Sequence, residues 1–172
     1  MPAVSAVIIT LNAERHLSRC LSALRGVADE VVVVDAGSTD ETAAICARFG
    51  ARFSVRPWQG YAEAKNHANS LVTHPYILSV DADEILSEPL RQAILSHKPR
   101  LQGAYRMARR NYYCGRWIRH AGWYPDYKVR LFPAGQARWV SETGLHETLV
   151  PDDGLPITTL AGDLELAGRL SA

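Results

Sequence analysis

Residues 76–86 read YILSVDADEIL, an apolar run that stops abruptly at three acids, Asp81, Asp83 and Glu84. Carboxylates this close repel one another, and burying them unpaired is costly. Something positive must sit among them, or solvent must screen them. Hard oxygen ligands at alternate positions suit a Mg²⁺ or Mn²⁺ ion shared with a diphosphate. In an extended segment Asp81 and Asp83 point to the same side, where such an ion would offset their repulsion and neutralise a leaving diphosphate. The plainer alternative is a strand-end turn with solvated acids.

Two further polar sets follow apolar runs. Thr10, Asn12 and Glu14 come after VSAVIIT, and Asp35, Gly37, Ser38 and Asp40 come after EVVVVDA. In open α/β sheets, ligands bind outside the carboxyl ends of the strands, so these sets and the DADE cluster open on one edge. The small, turn-forming residues of DAGSTD would let a planar base and a ribose approach the backbone. Asp35 would accept hydrogen bonds from a base N–H or from ribose hydroxyls. Glu14 and Asp40 also fit helix-start charges favoured by the dipole, and Asp40 is read that way.

The elements that must position these residues are legible as periodicities. VSAVIIT (4–10) and EVVVVDA (30–36) are β-branched and apolar on both faces, as parallel strands covered by helices are. Between them, Ala13, Leu17, Cys20, Leu21 and Leu24 recur at helical spacing. A second helix opens with Ser38 and Glu41 as a capping box and stops at Gly50. ARFSVRP is a third strand, GYAEAKNHANSLVTH a third helix, and YILSVDAD (76–83) a fourth strand. The order is β-α-β-α-β-α-β, an α/β pattern. EPLRQAILSHK reads as a helix with Pro89 in its first turn. GAYRMARRNYY, DYKVRLFP and ARWV (137–140) read as strands, and CGRWIRHAGWYP as an irregular ribbon. From Pro151 the composition turns loop-like, ending in a weak strand and tail. The chain reads as one domain over 1–172, with a ligand-binding half at 1–88, a second half at 89–165 and a tail at 166–172.

At 172 residues the chain can bury a full core. Its net charge of +1 provides no field for nucleic acid. The charge is uneven, however: residues 98–138 hold ten Lys/Arg and one acid, Asp126. A basic half facing an acidic half fits a polyanionic ligand between them. Tyr112, Trp117, Trp123 and Tyr124 sit among Arg109, Arg110, Arg116 and Arg119. Aromatic faces stack on sugar rings, and guanidiniums grip phosphates and carboxylates. Such interleaving also fits single-stranded nucleic acid, which the near-zero charge disfavours, and some of the aromatics must form a small core. The three cysteines, Cys20, Cys46 and Cys114, have no metal-like spacing. No stretch reaches the roughly 20 apolar residues of a spanning helix.

The combination IITLNAE, VVVVDAGSTDET, GYAEAKNHA and LSVDADEIL resembles glycosyltransferase family 2, the inverting, nucleotide-sugar-dependent enzymes of GT-A fold. RRNYYCGRWIRHAGWYPDYKVRLF followed by GLHE is similar to the bacterial branch that adds glucose or a related sugar to the lipopolysaccharide inner core. The resemblance covers about residues 3–163. It implies a mixed central sheet flanked by helices, a UDP-sugar donor, a lipopolysaccharide core or related glycan acceptor, and a Mg²⁺ or Mn²⁺ cofactor. It places Thr10, Asn12, Glu14, Asp35, Lys65 and Asp81 around the donor nucleotide and Asp83 on the metal, with His146 as a metal or diphosphate contact. Inversion needs a general base on the acceptor face. The family's acidic pair after the metal motif has no obvious counterpart here, so Asp126 is the first candidate and Glu147 the second. Arg109, Arg110, Trp117, Arg119, Trp123 and Tyr124 are the expected acceptor contacts.

That branch continues past the HE motif with helices that close the acceptor side, so the C-terminal region reads as shortened. The apolar patch this leaves would promote homo-oligomers. The expected location is cytoplasmic, peripheral on the inner face of the inner membrane. Two rivals stand beside this reading. A nucleotidyltransferase would share paired carboxylates, but TLNAERH is not a Gly-rich phosphate loop. A catalytically impaired nucleotide-sugar-binding protein would keep the donor site alone.

Overall fold

The computed structural model describes residues 2–113, 116–120 and 124–167. Its first half alternates as the periodicities predict: β1 (Val4–Thr10), α1 (Leu17–Leu24), β2 (Glu30–Asp35), α2 (Thr42–Arg48), β3 (Arg52–Val55), α3 (Tyr61–Ser70) and β4 (Tyr76–Ser79). The second half holds β5 (Glu84–Leu86), α4 (Glu88–His97), β6 (Ala104–Arg109), β7 (Tyr112–Tyr113), β8 (Arg116–Trp117), β9 (Asp126–Pro133), β10 (Ala137–Val140), β11 (Thr148–Pro151) and β12 (Ile157–Leu166).

One eight-stranded sheet runs through both halves in the order β3-β2-β1-β4-β9-β6-β12-β5. The four strands β3, β2, β1 and β4 are parallel. β9 reverses direction between β4 and β6. Both faces of the sheet are covered, which is why β1 and β2 show no polar alternation. On one face Ala6, Ile8 and Val33 pack with Leu17, Leu21, Leu24, Leu90 and Ile94 from the helices. On the other, Val7, Val32, Val34, Ile77 and Phe132 pack with Ala68 of α3. The register aligns the strand ends: Thr10 pairs with Asp35, and Asp35 with Val55.

Three expectations need correction. The Ser38–Glu41 capping box does not form. Glu41 is the cap residue of α2 with no side-chain cap bond, because the Ser38 hydroxyl is spent on Asp35 at 2.6 Å. Asp40 serves that helix start, accepting from the Thr42 amide at 3.0 Å and the Thr42 hydroxyl at 2.6 Å. The fourth strand ends at Ser79, and residues 81–84 form a turn in which the Glu84 amide donates to the Asp81 carbonyl at 3.0 Å. Asp81 and Asp83 are therefore not alternate positions of one extended segment.

The third correction concerns the C-terminal segment, which is a ten-residue strand inside the sheet. β12 lies between β6, to which it is parallel, and β5. Leu160, Asp163 and Leu164 are buried in it. Ser87 couples it to α4: its hydroxyl accepts from the amides of Leu90 at 3.3 Å and Asp163 at 2.9 Å. Gly162 sits in the register shift of β12 with φ +89°, and a Cβ there would fall 2.3 Å from the Leu90 nitrogen.

This frame makes two stability effects measurable. Gly162→Ala adds a left-handed strain and a clash with helix backbone, and should destabilise by about 2–4 kcal/mol in urea titration. Glu30 ties β1, β3 and Thr73 together, accepting from Ser5 at 2.6 Å, Arg52 at 2.9 Å and the Thr73 amide at 2.8 Å. Burial works against its charge, yet bonds from Ser5, Thr73 and Arg52 bring its carboxyl down from 4.5 to about 2. A depressed carboxyl contributes stability above its unfolded value and loses it as pH falls through the folded one. Stability should therefore fall between pH 4.5 and about 2, and Glu30→Gln should flatten that segment of the stability–pH curve.

Candidate active site

The carboxyl ends of β1 and β2 bring Thr10, Asn12, Glu14 and Asp35 together, and Asp35 is tied to Thr10 and to its own turn. Its Oδ1 accepts from the hydroxyls of Thr10 and Ser38, both at 2.6 Å, and its Oδ2 from the amides of Gly37 at 2.9 Å and Ser38 at 2.7 Å. Burial works against the charge, but the Ser38 and Thr10 bonds outweigh it and hold the carboxyl below the usual range. Asp35 therefore shapes the DAGSTD turn. Asn12, at φ +48°, is bolted to the same turn: its amide donates to Ser38 Oγ at 2.7 Å, and its Oδ1 accepts from the Thr39 amide at 2.9 Å. Glu14 and Asp40 exchange bonds with each other's helix starts, Glu41 N to Glu14 Oε2 at 3.0 Å and Glu14 N to Asp40 Oδ2 at 3.1 Å.

Between this turn and the DAD turn lies a cavity of about 540 Å³, lined by Asn12, Glu14, His16, Asp40 and Asp83. Asp83 is exposed at its rim. Its carboxylate has no partner among the described residues, and its carbonyl accepts from the Ala167 amide at 2.7 Å.

The positive groups among the acids prove to be Lys65 and Arg130. Lys65, on α3, is 3% exposed. Its Nζ lies 3.1 Å from Asp81 Oδ1 and 2.7 Å from Glu147 Oε1, and 4.2 Å from the centroid of the Trp139 ring. Arg130, on β9, grips buried Glu84 with two bonds of 2.9 and 3.1 Å and lies 3.7 Å from Asp81 Oδ2. Glu84 also accepts from the Asp81 amide at 3.0 Å. The result is an alternating row, Glu147–Lys65–Asp81–Arg130–Glu84. Burial opposes the charge on Asp81, but Arg130 and Lys65 prevail and hold its carboxyl below the usual range. Burial pushes Glu84 up; Arg130 opposes this, and Asp81 adds to it.

This row borders another cavity of about 510 Å³, whose walls include Asp81, Arg109, Arg130, Trp139, His146 and Glu147. Two paired bonds of Asn66 to the Trp139 backbone, at 2.8 and 2.9 Å, pin β10 to α3 and so position this wall. Two buried N–H groups here, Arg109 Nε and Trp139 Nε1, have no hydrogen-bond partner among the described residues. Asp83, expected on the metal, and His146, expected on the metal or the diphosphate, line different cavities. Among the described residues no group of three His, Cys, Asp or Glu side chains could hold an ion by itself.

The rest of the basic block is largely spent on structure. Asp126 accepts from Arg109 at 3.2 Å and Asn111 at 3.0 Å and pairs with Lys128 at 3.3 Å. Burial works against its charge, yet Asn111 and Lys128 keep its carboxyl below the usual range. Arg110 pairs with Asp163 and Glu165, both at 3.1 Å, and Tyr124 donates to Asp163 at 2.7 Å. Trp117 has the guanidiniums of Arg110 and Arg119 each 4.1 Å from its ring centroid, with Tyr124 edge-on at 5.0 Å. Of the expected acceptor residues, only Arg109 joins the cavity wall; Arg110, Trp117, Arg119 and Tyr124 form a separate cluster, and Trp123 lies outside the described residues. Two residues of these networks, Asp163 and Arg130, do not stand out in the sequence. Asp163 hides in a segment of poor strand propensity, and Arg130 is one cation among ten.

No helix among the described residues is long and apolar enough to cross a membrane. The family model "Glycosyl transferase family 2" matches residues 5–134. The chain is 36% identical over 162 residues to the lipopolysaccharide core biosynthesis glycosyltransferase LpsC of Rhizobium meliloti, covering 87% of this chain and 57% of LpsC. It spans about a third to just over half the length of the curated relatives it matches. Among solved structures, S. aureus TarS 1-349 superposes with a TM-score of 0.63 at 17% identity, over 95% of this chain and 60% of that one. Glucosyl-3-phosphoglycerate synthase from Mycobacterium tuberculosis, in complex with Mn²⁺, uridine diphosphate and glucosyl-3-phosphoglycerate, has a TM-score of 0.51 at 23% identity, over 66% of this chain and 45% of that one. The fold is of the GT-A type, and the chain belongs to glycosyltransferase family 2.

Proposed function

We propose that this chain carries the catalytic site of an inverting glycosyltransferase, moving a hexosyl group, with glucose as the first candidate, from a UDP-sugar to a hydroxyl of a lipopolysaccharide core or related glycan. The observation that carries this reading is the convergence of Asp81, Lys65 and Glu147 at the strand edge beside a 510 Å³ cavity, in a chain similar to LpsC over most of its length. The two unpartnered N–H groups of that wall suit the oxygens of a carbohydrate.

In this reading Lys65 and Arg130 keep Asp81 ionised, so that its partly exposed carboxylate accepts ribose hydroxyls. The base role passes from Asp126 to Glu147. Three donors hold Asp126 and lower its basicity, whereas Glu147 faces the cavity with one oxygen on Lys65. Glu147 takes the proton of the acceptor hydroxyl as its oxygen bonds to the anomeric carbon. The bond from that carbon to the diphosphate oxygen breaks on the opposite face, with inversion, and UDP departs with the bonding pair.

The residues present fit a divalent cation through Asp83. It offers a free hard-oxygen ligand, and Mg²⁺ and Mn²⁺ commonly take one or two carboxylates with substrate phosphates completing the shell. Bound there, such an ion would neutralise charge on the departing diphosphate.

A thermal-shift panel of nucleotides and nucleotide-sugars, with and without Mn²⁺, tests the donor class. A UDP-sugar with Mn²⁺ at a hundredfold its Kd should stabilise the protein by about 2.7 kcal/mol. A panel in which no nucleotide-sugar shifts the transition would overturn the proposal. Asp83→Ala should abolish the Mn²⁺-dependent part of that shift and sugar turnover with it. Lys65→Met leaves Glu147 unpaired and Asp81 with Arg130 alone. It should destabilise by about 3 kcal/mol in urea titration, and adding Glu147→Gln should restore a measurable part.

A further inference from the structure

The tip of the DAD turn is held by the end of β12. The β12–β5 ladder pairs Leu164 with Leu86, Glu165 with Ile85 and Leu166 with Glu84. One more rung lies beyond the strand ends, where the Ala167 amide donates to the Asp83 carbonyl at 2.7 Å. Asp83 is exposed, and its carboxylate has no partner among the described residues. The place of that carboxylate is therefore set through the backbone, by this rung.

The rung is itself capped. Ala167 is fully buried, and its carbonyl accepts from Arg19 Nη1 at 2.8 Å, across 148 positions of chain. Arg19 belongs to α1, which also reaches the other end of the turn: the Cys20 thiol lies 3.6 Å from the Asp81 carbonyl. Two consecutive residues of one helix thus bear on both ends of the DAD turn, Cys20 directly and Arg19 through Ala167. Asp81 has further ties, since its amide donates to Glu84 Oε2 and its carbonyl accepts from the Glu84 amide, both at 3.0 Å. The last rung of a ladder opens at little cost, and the tip of the turn would move with it. A guanidinium on the carbonyl beyond that rung opposes the opening.

We propose that Arg19 is a positioning residue for the metal carboxylate: by capping the end of the β12–β5 ladder, it fixes the turn tip from which Asp83 offers its oxygen. The inference rests on the reading above in one respect, that Asp83 is a ligand of the divalent cation. It adds a residue on another element that acts on this ligand through Ala167, without touching ion or nucleotide. The effect has a diagnostic sign. Like charges repel, so removing the Arg19 charge alone would tighten Mn²⁺ binding, whereas losing the position of Asp83 weakens it.

Calorimetry with UDP, in the presence and absence of Mn²⁺, and amide hydrogen exchange test this on the full chain. In Arg19→Ala the protection of the Ala167 amide should fall about tenfold, while amides in the interior of β12 keep theirs. The gain in UDP affinity that Mn²⁺ confers should shrink about tenfold, with UDP affinity in the absence of Mn²⁺ unchanged. Arg19→Met keeps the stem and removes the donor, and should behave as Arg19→Ala does. Arg19→Lys keeps a cationic donor and should restore a measurable part of both signals. In an Asp83→Ala background, Arg19→Ala should cause no further loss. If the Mn²⁺ gain in Arg19→Ala and Arg19→Met equals or exceeds that of the wild type, the positioning role is refuted and the metal reading stands. An equal loss with and without Mn²⁺ also refutes it, because Arg19 then contacts the nucleotide. A wild type that binds UDP with no gain from Mn²⁺ overturns the metal reading and this inference together.

Discussion

Two cations are buried where the parallel strands end, and the organisation of the site follows from how they are neutralised. Lys65 and Arg130 are 3% and 4% exposed, and an isolated charge at such positions would be prohibitively costly. Asp81, placed between them, is shared. Glu147 and Glu84 complete the row at its two ends. These five groups come from α3, the turn after β4, the start of β5, β9 and the segment before β11, so satisfying two charges fixes five pieces of chain relative to one another. Removing one member leaves its neighbours uncompensated.

The same economy runs through the surroundings. Asp35 spends its carboxylate on the turn that follows it, Asp126 on Arg109, Asn111 and Lys128, and Arg110 on Asp163. Charge rich in the sequence is thus mostly consumed in the fold. Among the described residues, the groups left with unused capacity include Asp83 at the rim of one cavity and the N–H groups of Arg109 and Trp139 on the wall of the other.

The corner that holds Arg110, Trp117 and Tyr124 depends on a strand that carries little of the usual strand signal. β12 enters the sheet between β6 and β5, and Asp163 within it anchors Arg110 and Tyr124. Gly162 allows the close approach to α4. The aromatic and basic residues that resemble a sugar platform are partly the packing of this corner, with Trp117 between two guanidiniums.

The α/β class, the order of the first seven elements and the three polar sets were determined by the sequence alone. Branched apolar runs and helical spacing are local properties, and strand ends must lie at one edge of a parallel sheet. The family motifs were equally legible, because they are contiguous. What only tertiary structure decided was which charged groups are free. The ties on Asp126 come from Arg109, 17 positions away, and Asn111, 15 away, and the buried row is joined over longer spans still: Lys65 meets Glu147 across 82 positions, and Arg130 meets Glu84 across 46. A carboxylate's role is set by the donors that reach it, and those contacts exist only once the sheet has closed around them.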